Sequence, residues 1–299
     1  MKKILLIFTV FLYLGCTKRA ETLKPKEQFL AGQVPKEIPV AFMPNLVSKD
    51  SLIHKGIFSN DYTRYYYTVS DKKFSKFDIK MIHKKNGKWS KPTIAFFNSS
   101  YNDHGMSFSP NGNTLYFSST RPTDIKGIPD TWHLWKCENI NGNWSTPKFI
   151  DIPNLRNKLV SHPSVTDKGT LYFHSSNIDY SDMTIYFSNQ KNGKFEDAKK
   201  VHLIPQHSNG YCTPYIAPDG TFLLYASIGE PLTLNISYKK NDRWSTPEQL
   251  PSAINQNNQG NPYITPDGAF LFYTHQYKDD KMGWDIFWVS TKSFLHIEE

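Results

Sequence analysis

The chain has 299 residues, 38% of them hydrophobic and 15% aromatic, with a formal charge of +8. That is enough apolar residue to fill a sizeable core, and too little charge bias for a disordered chain. The basic residues are scattered, many in turns such as Lys84-Lys85 and Lys239-Lys240, instead of lining one face, so nucleic acid is not an expected partner.

The first element in chain order is a targeting segment, residues 1–16. Lys2-Lys3 supplies its charge, Ile4 to Leu14 an apolar run, and Gly15-Cys16 a small residue before a cysteine. The apolar run is too short to span a bilayer comfortably. This layout resembles a bacterial lipoprotein signal, which implies that Cys16 is lipidated and becomes the mature N-terminus. Thr17 follows, where no Asp argues for inner-membrane retention, so the outer membrane is the expected location. Residues 17–36 are polar, with Lys and Pro, and read as a tether. Removing Lys2 and Lys3 leaves +6.

Residues 37–299 form the third segment, dominated by a repeat of about fifty residues. Its turn recurs as Ser109-Pro110-Asn111-Gly112, Thr166-Asp167-Lys168-Gly169, Ala217-Pro218-Asp219-Gly220 and Thr265-Pro266-Asp267-Gly268, with a degraded copy at Ser59-Asn60-Asp61-Tyr62. An aromatic strand-like run follows each, such as Leu115-Tyr116-Phe117 or Phe270-Leu271-Phe272-Tyr273. Pro presets φ and Asx-Gly supplies the φ > 0 position, so each unit reads strand, tight turn, strand. A second motif runs out of phase: Asn86-Gly87-Lys88-Trp89-Ser90-Lys91-Pro92, Asn141-Gly142-Asn143-Trp144-Ser145-Thr146-Pro147 and Asn241-Asp242-Arg243-Trp244-Ser245-Thr246-Pro247, with a weaker Asn192-Gly193-Lys194-Phe195. Each unit therefore carries strands A to D. Four-stranded units at this period, without helical patterning, predict an all-β chain folded as a five-bladed β-propeller.

The last repeat ends after its strand C, Trp284 to Val289, with no Trp-Ser-x-Pro strand. Ile38-Pro39-Val40-Ala41-Phe42, upstream of blade one, is a strand D lacking its own A, B and C. The N-terminal segment is thus expected to close blade five and join the ends of the chain. Six blades, the alternative, would need about forty further residues, which the stretch before Ile38 cannot supply.

Cys137 and Cys212 fall in non-adjacent blades, towards opposite faces, which predicts buried thiols and no disulfide. No CxxC or His/Cys spacing suggests zinc. No P-loop, G-x-S-x-G elbow, H-E-x-x-H or sialidase Asp-box occurs, and no cofactor or metal is expected.

The stretch Ser109-Pro110-Asn111-Gly112-Asn113-Thr114-Leu115-Tyr116-Phe117-Ser118-Ser119-Thr120-Arg121-Pro122, together with Asp285-Ile286-Phe287, resembles the TolB-type, WD-like propeller repeats of bacterial envelope proteins. The resemblance covers nearly all of residues 38–290. It implies a propeller at the cell envelope, in a group spanning protein-binding factors, sugar-acid lyases and peptidase-gating propellers.

The repeated turns belong to one face and the variable connections to the other, where binding usually resides. Candidate ligand residues on that face are His54, His104, His162, His174, His207 and His275, joined by Asp103, Tyr211 and Asn258. His54 and His104 share one repeat position, and His162 is offset from it by one. Arg121 belongs to the repeat motif, which points to a structural bond. Asp103, Asp124, Asp130, Asp179, Asp182 and Glu230 show no spacing that singles out a catalytic pair. The expected protein is a monomeric, lipid-anchored, non-catalytic module for an envelope protein or glycan. A carbohydrate-active hydrolase or lyase using the His-rich face is the alternative.

Overall fold

Five antiparallel sheets, each running A-B-C-D, make up the propeller in the computed structural model, which describes residues 34–44, 46–48, 50–203 and 209–295. Strands A, B and C are Ser51–Phe58, Arg64–Asp71 and Phe77–Lys85 in blade one, and Asp103–Phe108, Thr114–Ser119 and His133–Ile140 in blade two. They are Leu159–Val165, Leu171–Ser176 and Thr184–Ser188 in blade three, and Tyr211–Ile216, Phe222–Ser227 and Thr233–Lys240 in blade four. Blade five has Gln259–Ile264, Phe270–Tyr277 and Asp280–Ser290. Cys16 and His207 lie outside the described residues.

The two turn motifs do what their chemistry demands. Gly112, Gly169, Gly220 and Gly268 sit at φ between 73° and 81° in the A–B turns. Both central residues of the C–D turns have positive φ: Asn86/Gly87, Asn141/Gly142, Asn192/Gly193 and Asn241/Asp242. That is the type I′ pattern, whose twist matches a hairpin.

Strand D differs from expectation in being split. In blades one, two and four the Trp-Ser-x-Pro segment pairs with strand C twice, as Lys88–Trp89 then Thr93–Ile94 in blade one. Proline cannot donate to the ladder, and the serine bridges the gap. Ser90 N donates to His83 O (2.8 Å), while Ser90 Oγ accepts from His83 N (3.1 Å). Ser145 with Glu138 and Ser245 with Tyr238 repeat this pair of bonds.

Ring closure follows the sequence expectation. Val40 and Ala41 pair antiparallel with Trp288 and Phe287, making the fourth strand of blade five. Phe42 N donates to Ile286 O (2.7 Å) and Ser290 N to Lys36 O (3.0 Å). Five apolar clusters fill the spaces between successive blades. Phe42 and Val34 belong to the one between blades five and one. Cys137 and Cys212 are free and buried, and burial pushes both thiols up to about 11.

Candidate functional site: an axial pocket with an unpartnered lysine

Strand A of every blade carries a β-bulge near its start, where the register against strand B slips by one residue. A bulge turns a side chain out of the alternating pattern. Here the repeat position so affected is Lys55, Gly105, His162, Thr213 and Asn261, one residue per blade. All five line one pocket of about 300 Å³ on the variable face, around the propeller axis. Gly105, His162, Thr213 and Asn261 adopt φ of 63°, 56°, 48° and 53°. A β-branched threonine in that region is strained, and such strain collects at binding sites. Gly105 is required sterically as well, since a Cβ there would stand 3.3 Å from both Cα and Cδ2 of His162.

Four of the candidate histidines converge here. The His104 and His162 ring centroids are 4.4 Å apart, and His162 and His174 stack at 4.7 Å. His54 reaches the same pocket from strand A of blade one. Their hydrogen bonds define their protons. Ser161 Oγ donates to Ser118 Oγ (3.0 Å), so it accepts from His104 Nε2 and His162 Nδ1, each at 3.1 Å. Thr213 N donates to His174 Nδ1 (3.1 Å), leaving that ring's proton on Nε2. Ser70 Oγ donates to Asp71 O, so it accepts from His54 Nε2 at 2.8 Å. Burial lowers His54 to about 4 and, with help from the Lys55 charge, His174 to about 3. Burial together with the charges of neighbouring basic groups carries His104 and His162 well below 6.5. All four rings are neutral at pH 7.

Sequence reasoning passed over Lys55. It is 2% exposed and lines the pocket, and among the described residues its ammonium has no hydrogen-bond or ion-pair partner. Burial lowers it from 10.5 to about 7. Among the described residues no Asp or Glu lines the pocket, and Thr68 Oγ1 in its wall also lacks a partner. The available signal was a lysine between His54 and Gly56 in strand A, in the same repeat column as His162. The rim was equally unread: Phe74, Phe77, Trp132 and Tyr180 come from or border the variable loops. His104 lies 4.1 Å from the Trp132 ring, and His54 5.3 Å from Phe77.

The other candidates are elsewhere. Asp103 is fully buried outside the pocket: Oδ1 accepts from Arg121 Nη2 (2.8 Å) and Oδ2 from Ser99 N and Oγ (2.6 and 2.7 Å). Arg121 also donates to Phe97 O and lies over the Phe117 and Trp135 rings. This pair holds blade two together. His275 follows Thr274, the residue matching His174, so strand alternation sends it to the opposite face. There it stands 4.5 Å from the Phe287 ring and hydrogen-bonds Gln259. Tyr211 lines a separate cavity of about 540 Å³ beside Lys200. Asn258 lines another of about 870 Å³, with Tyr277 and Trp284, and spends its amide on Leu232 N and Gln276 Oε1. Among the described residues no three His, Cys, Asp or Glu are arranged to hold a metal ion.

No family model and no curated protein sequence matches this chain. Solved structures do. TolB from Acinetobacter baumannii is 14% identical, with 83% of this chain covering 56% of that one at a TM-score of 0.50. The TolB-type protein of Agrobacterium tumefaciens is 13% identical, with 88% of this chain covering 87% of that one at 0.51. An oligogalacturonate lyase from Vibrio parahaemolyticus is 14% identical over 81% and 66% of the two chains, and its TM-score of 0.41 is too low to carry weight. The chain thus spans little more than half of the Acinetobacter protein. These likenesses are of architecture alone, and by them this chain has a TolB-like propeller fold.

Proposed function

We propose that the protein is a recognition module of the bacterial cell envelope, tethered by lipid on Cys16, whose axial pocket receives an anionic group of a glycan or protein partner. One observation carries this reading. A buried ammonium lines the pocket among four neutral imidazoles, with no counter-ion and no carboxylate among the described residues. An unpaired buried charge is costly, and a carboxylate entering from solvent would relieve that cost. The Nε2–H of His174, the one imidazole N–H of the four not already given to a serine, can add a hydrogen bond, and the aromatic rim offers a face for a sugar ring or an apolar side chain. The pocket lies at the lower end of ligand-site volumes, so it suits one terminal group and not a long segment. A hydrolase working with paired carboxylates gains no support, because Asp103 is committed to Arg121 outside the pocket and no Asp or Glu among the described residues lines it.

The site is tested by titrating the purified protein with glucuronate and with glucose. Glucuronate is expected to bind and glucose not, with Lys55→Met weakening the acid at least about tenfold. A charge-assisted hydrogen bond of about 1.5–3 kcal/mol corresponds to such a change. Lys168→Ala, on the opposite face, should leave binding as it was. Equal binding of both sugars, or loss of binding in Lys168→Ala, would remove the axial pocket from consideration.

The anchor is tested separately. Cys16→Ala should move the protein from the membrane to the soluble envelope fraction, since stable anchoring takes more than one acyl chain or a second signal. Unchanged fractionation would exclude lipidation as the tether.

A further inference from the structure

Lys55 has a second capacity, which rests on the pocket reading above but makes a different demand on it. We infer that the Lys55 amine forms a reversible imine with a small carbonyl compound, most favourably one that also carries a carboxylate, such as a 2-oxo acid or an aldehyde acid. The geometry supplies the argument. The side chain is buried, reaches a cavity open to the variable face, and has no partner to hold it in another orientation. The titratable groups facing it are His54 and His104 from strands A of blades one and two, His162 and His174 from strands A and B of blade three, Tyr180 from the loop, and Cys212 from strand A of blade four, whose thiol is pushed by burial up to about 11. Among the described residues no carboxylate faces it to stabilise the protonated amine. Catalytic amines in other settings are activated in this way, by desolvation and by cationic or apolar neighbours.

The step balances without an added oxidant or reductant. The nitrogen lone pair forms a C–N bond to the carbonyl carbon while the C–O π pair moves to oxygen. That oxygen takes the proton released by nitrogen through solvent, and loss of one water gives the imine. At pH 7 about half of the Lys55 side chains are neutral, against roughly one in a thousand or fewer for a solvated lysine. Part of that advantage is cancelled, because nucleophilicity falls as basicity falls. The carboxylate of the carbonyl compound would be held by the Nε2–H of His174, the ring N–H not already given to a serine. The amine is free to react because it is then no longer needed as the counter-ion.

Reductive trapping of the full chain tests this. The protein is incubated at pH 7 with cyanoborohydride and either glyoxylate or propanal, and adducts are located by peptide mapping. Lys55 should be labelled at least about tenfold faster than the average of the other lysines, with a rate that levels off above pH 7 while theirs keeps rising. Preference for glyoxylate over propanal supports both the imine and the anion-receiving pocket. Equal labelling of Lys55 by the two supports the imine and overturns the pocket reading. Labelling confined to other lysines, while glucuronate still binds, overturns the imine and leaves the pocket reading standing. The wild-type protein alone decides these outcomes; a Lys55→Arg variant, if folded by its melting curve, should lose the fast adduct.

Discussion

Lys55→Met raises the melting temperature at pH 6 by about 6–12 °C, and the gain shrinks as the pH approaches 10. The reason is the cost of holding an ammonium in a dry wall. Lowering the group from 10.5 to about 7 corresponds to about 5 kcal/mol against the charged folded state. Methionine is of similar length and adapts to irregular gaps, so on the order of 3 kcal/mol should be recovered. At about 2–4 °C per kcal/mol for a chain of this size, that gives the range above. The sign with pH is fixed by linkage. Below pH 7 the folded and unfolded chains both hold the proton, and the cost is fully present. Between 7 and 10.5 only the unfolded chain holds it, so wild-type stability climbs with pH and the advantage of the variant fades. The imidazoles act in a different window. Neutral in the folded state, they make both proteins lose stability as pH falls below 6.5. Differential scanning calorimetry from pH 6 to 10 checks the prediction, and a pH-independent difference would mean that the lysine is not buried as a charge. A binding residue that lowers stability is the trade expected where function requires an unsatisfied group.

Phe42→Ala costs about 3–5 kcal/mol, as large as any core truncation in the chain. The ring is 2% exposed and meets Phe58, Tyr65, Phe272 and Trp288 edge-on, with centroids 5.0–6.0 Å away. Phe58 and Tyr65 belong to blade one, Phe272 and Trp288 to blade five, so one side chain joins the first and last blades. Blades one and five also meet directly, with Phe58 N donating to Tyr263 Oη and Asp267 N to Tyr62 Oη (each 3.2 Å), while the backbone bonds of the closing strand link Val40, Ala41, Phe42 and Lys36 to strand C of blade five. Removal of residues 1–48 should therefore do more than lower the melting temperature. It leaves the Asp280–Ser290 edge unpaired, and an open edge templates association. Removal of residues 17–33 should change neither property. Denaturant melts with light scattering read both effects; a monomeric 1–48 deletion with an unchanged midpoint would show that the ring does not depend on this segment.

The split strand D illustrates the limit of motif reading. The sequence Trp-Ser-x-Pro identifies an edge strand, and it also contains the reason that strand is broken, but the role of the serine appears only when its partner is known. Ser90 Oγ accepts from His83 N seven residues back, and that distance is set by the type I′ turn between them. His174 and His275 are a second case. Both lie within an aromatic strand B, and both look alike in a list of histidines. One position of offset, Phe173-His174 against Tyr273-Thr274-His275, decides that the first faces the axis and the second Phe287. Asp103 is a third: a carboxylate in a variable loop region reads as available until Arg121 and Ser99 are placed around it.

What the amino-acid sequence determined by itself was local chemistry repeated five times: the Asx-Gly turns, the alternating strands, the period and the missing fourth strand of blade five. Those features need only neighbouring residues to act, so blade count and ring closure were legible before any coordinates. What only the tertiary structure decided was the site. Lys55, Gly105, His162, Thr213 and Asn261 are about fifty residues apart, and each is ordinary within its own strand. Closing the ring sets the five bulges around one axis, and burial there, without a counter-charge, makes Lys55 distinctive. Burial and the absence of a partner are properties of the assembled surroundings, which no segment of the chain carries alone.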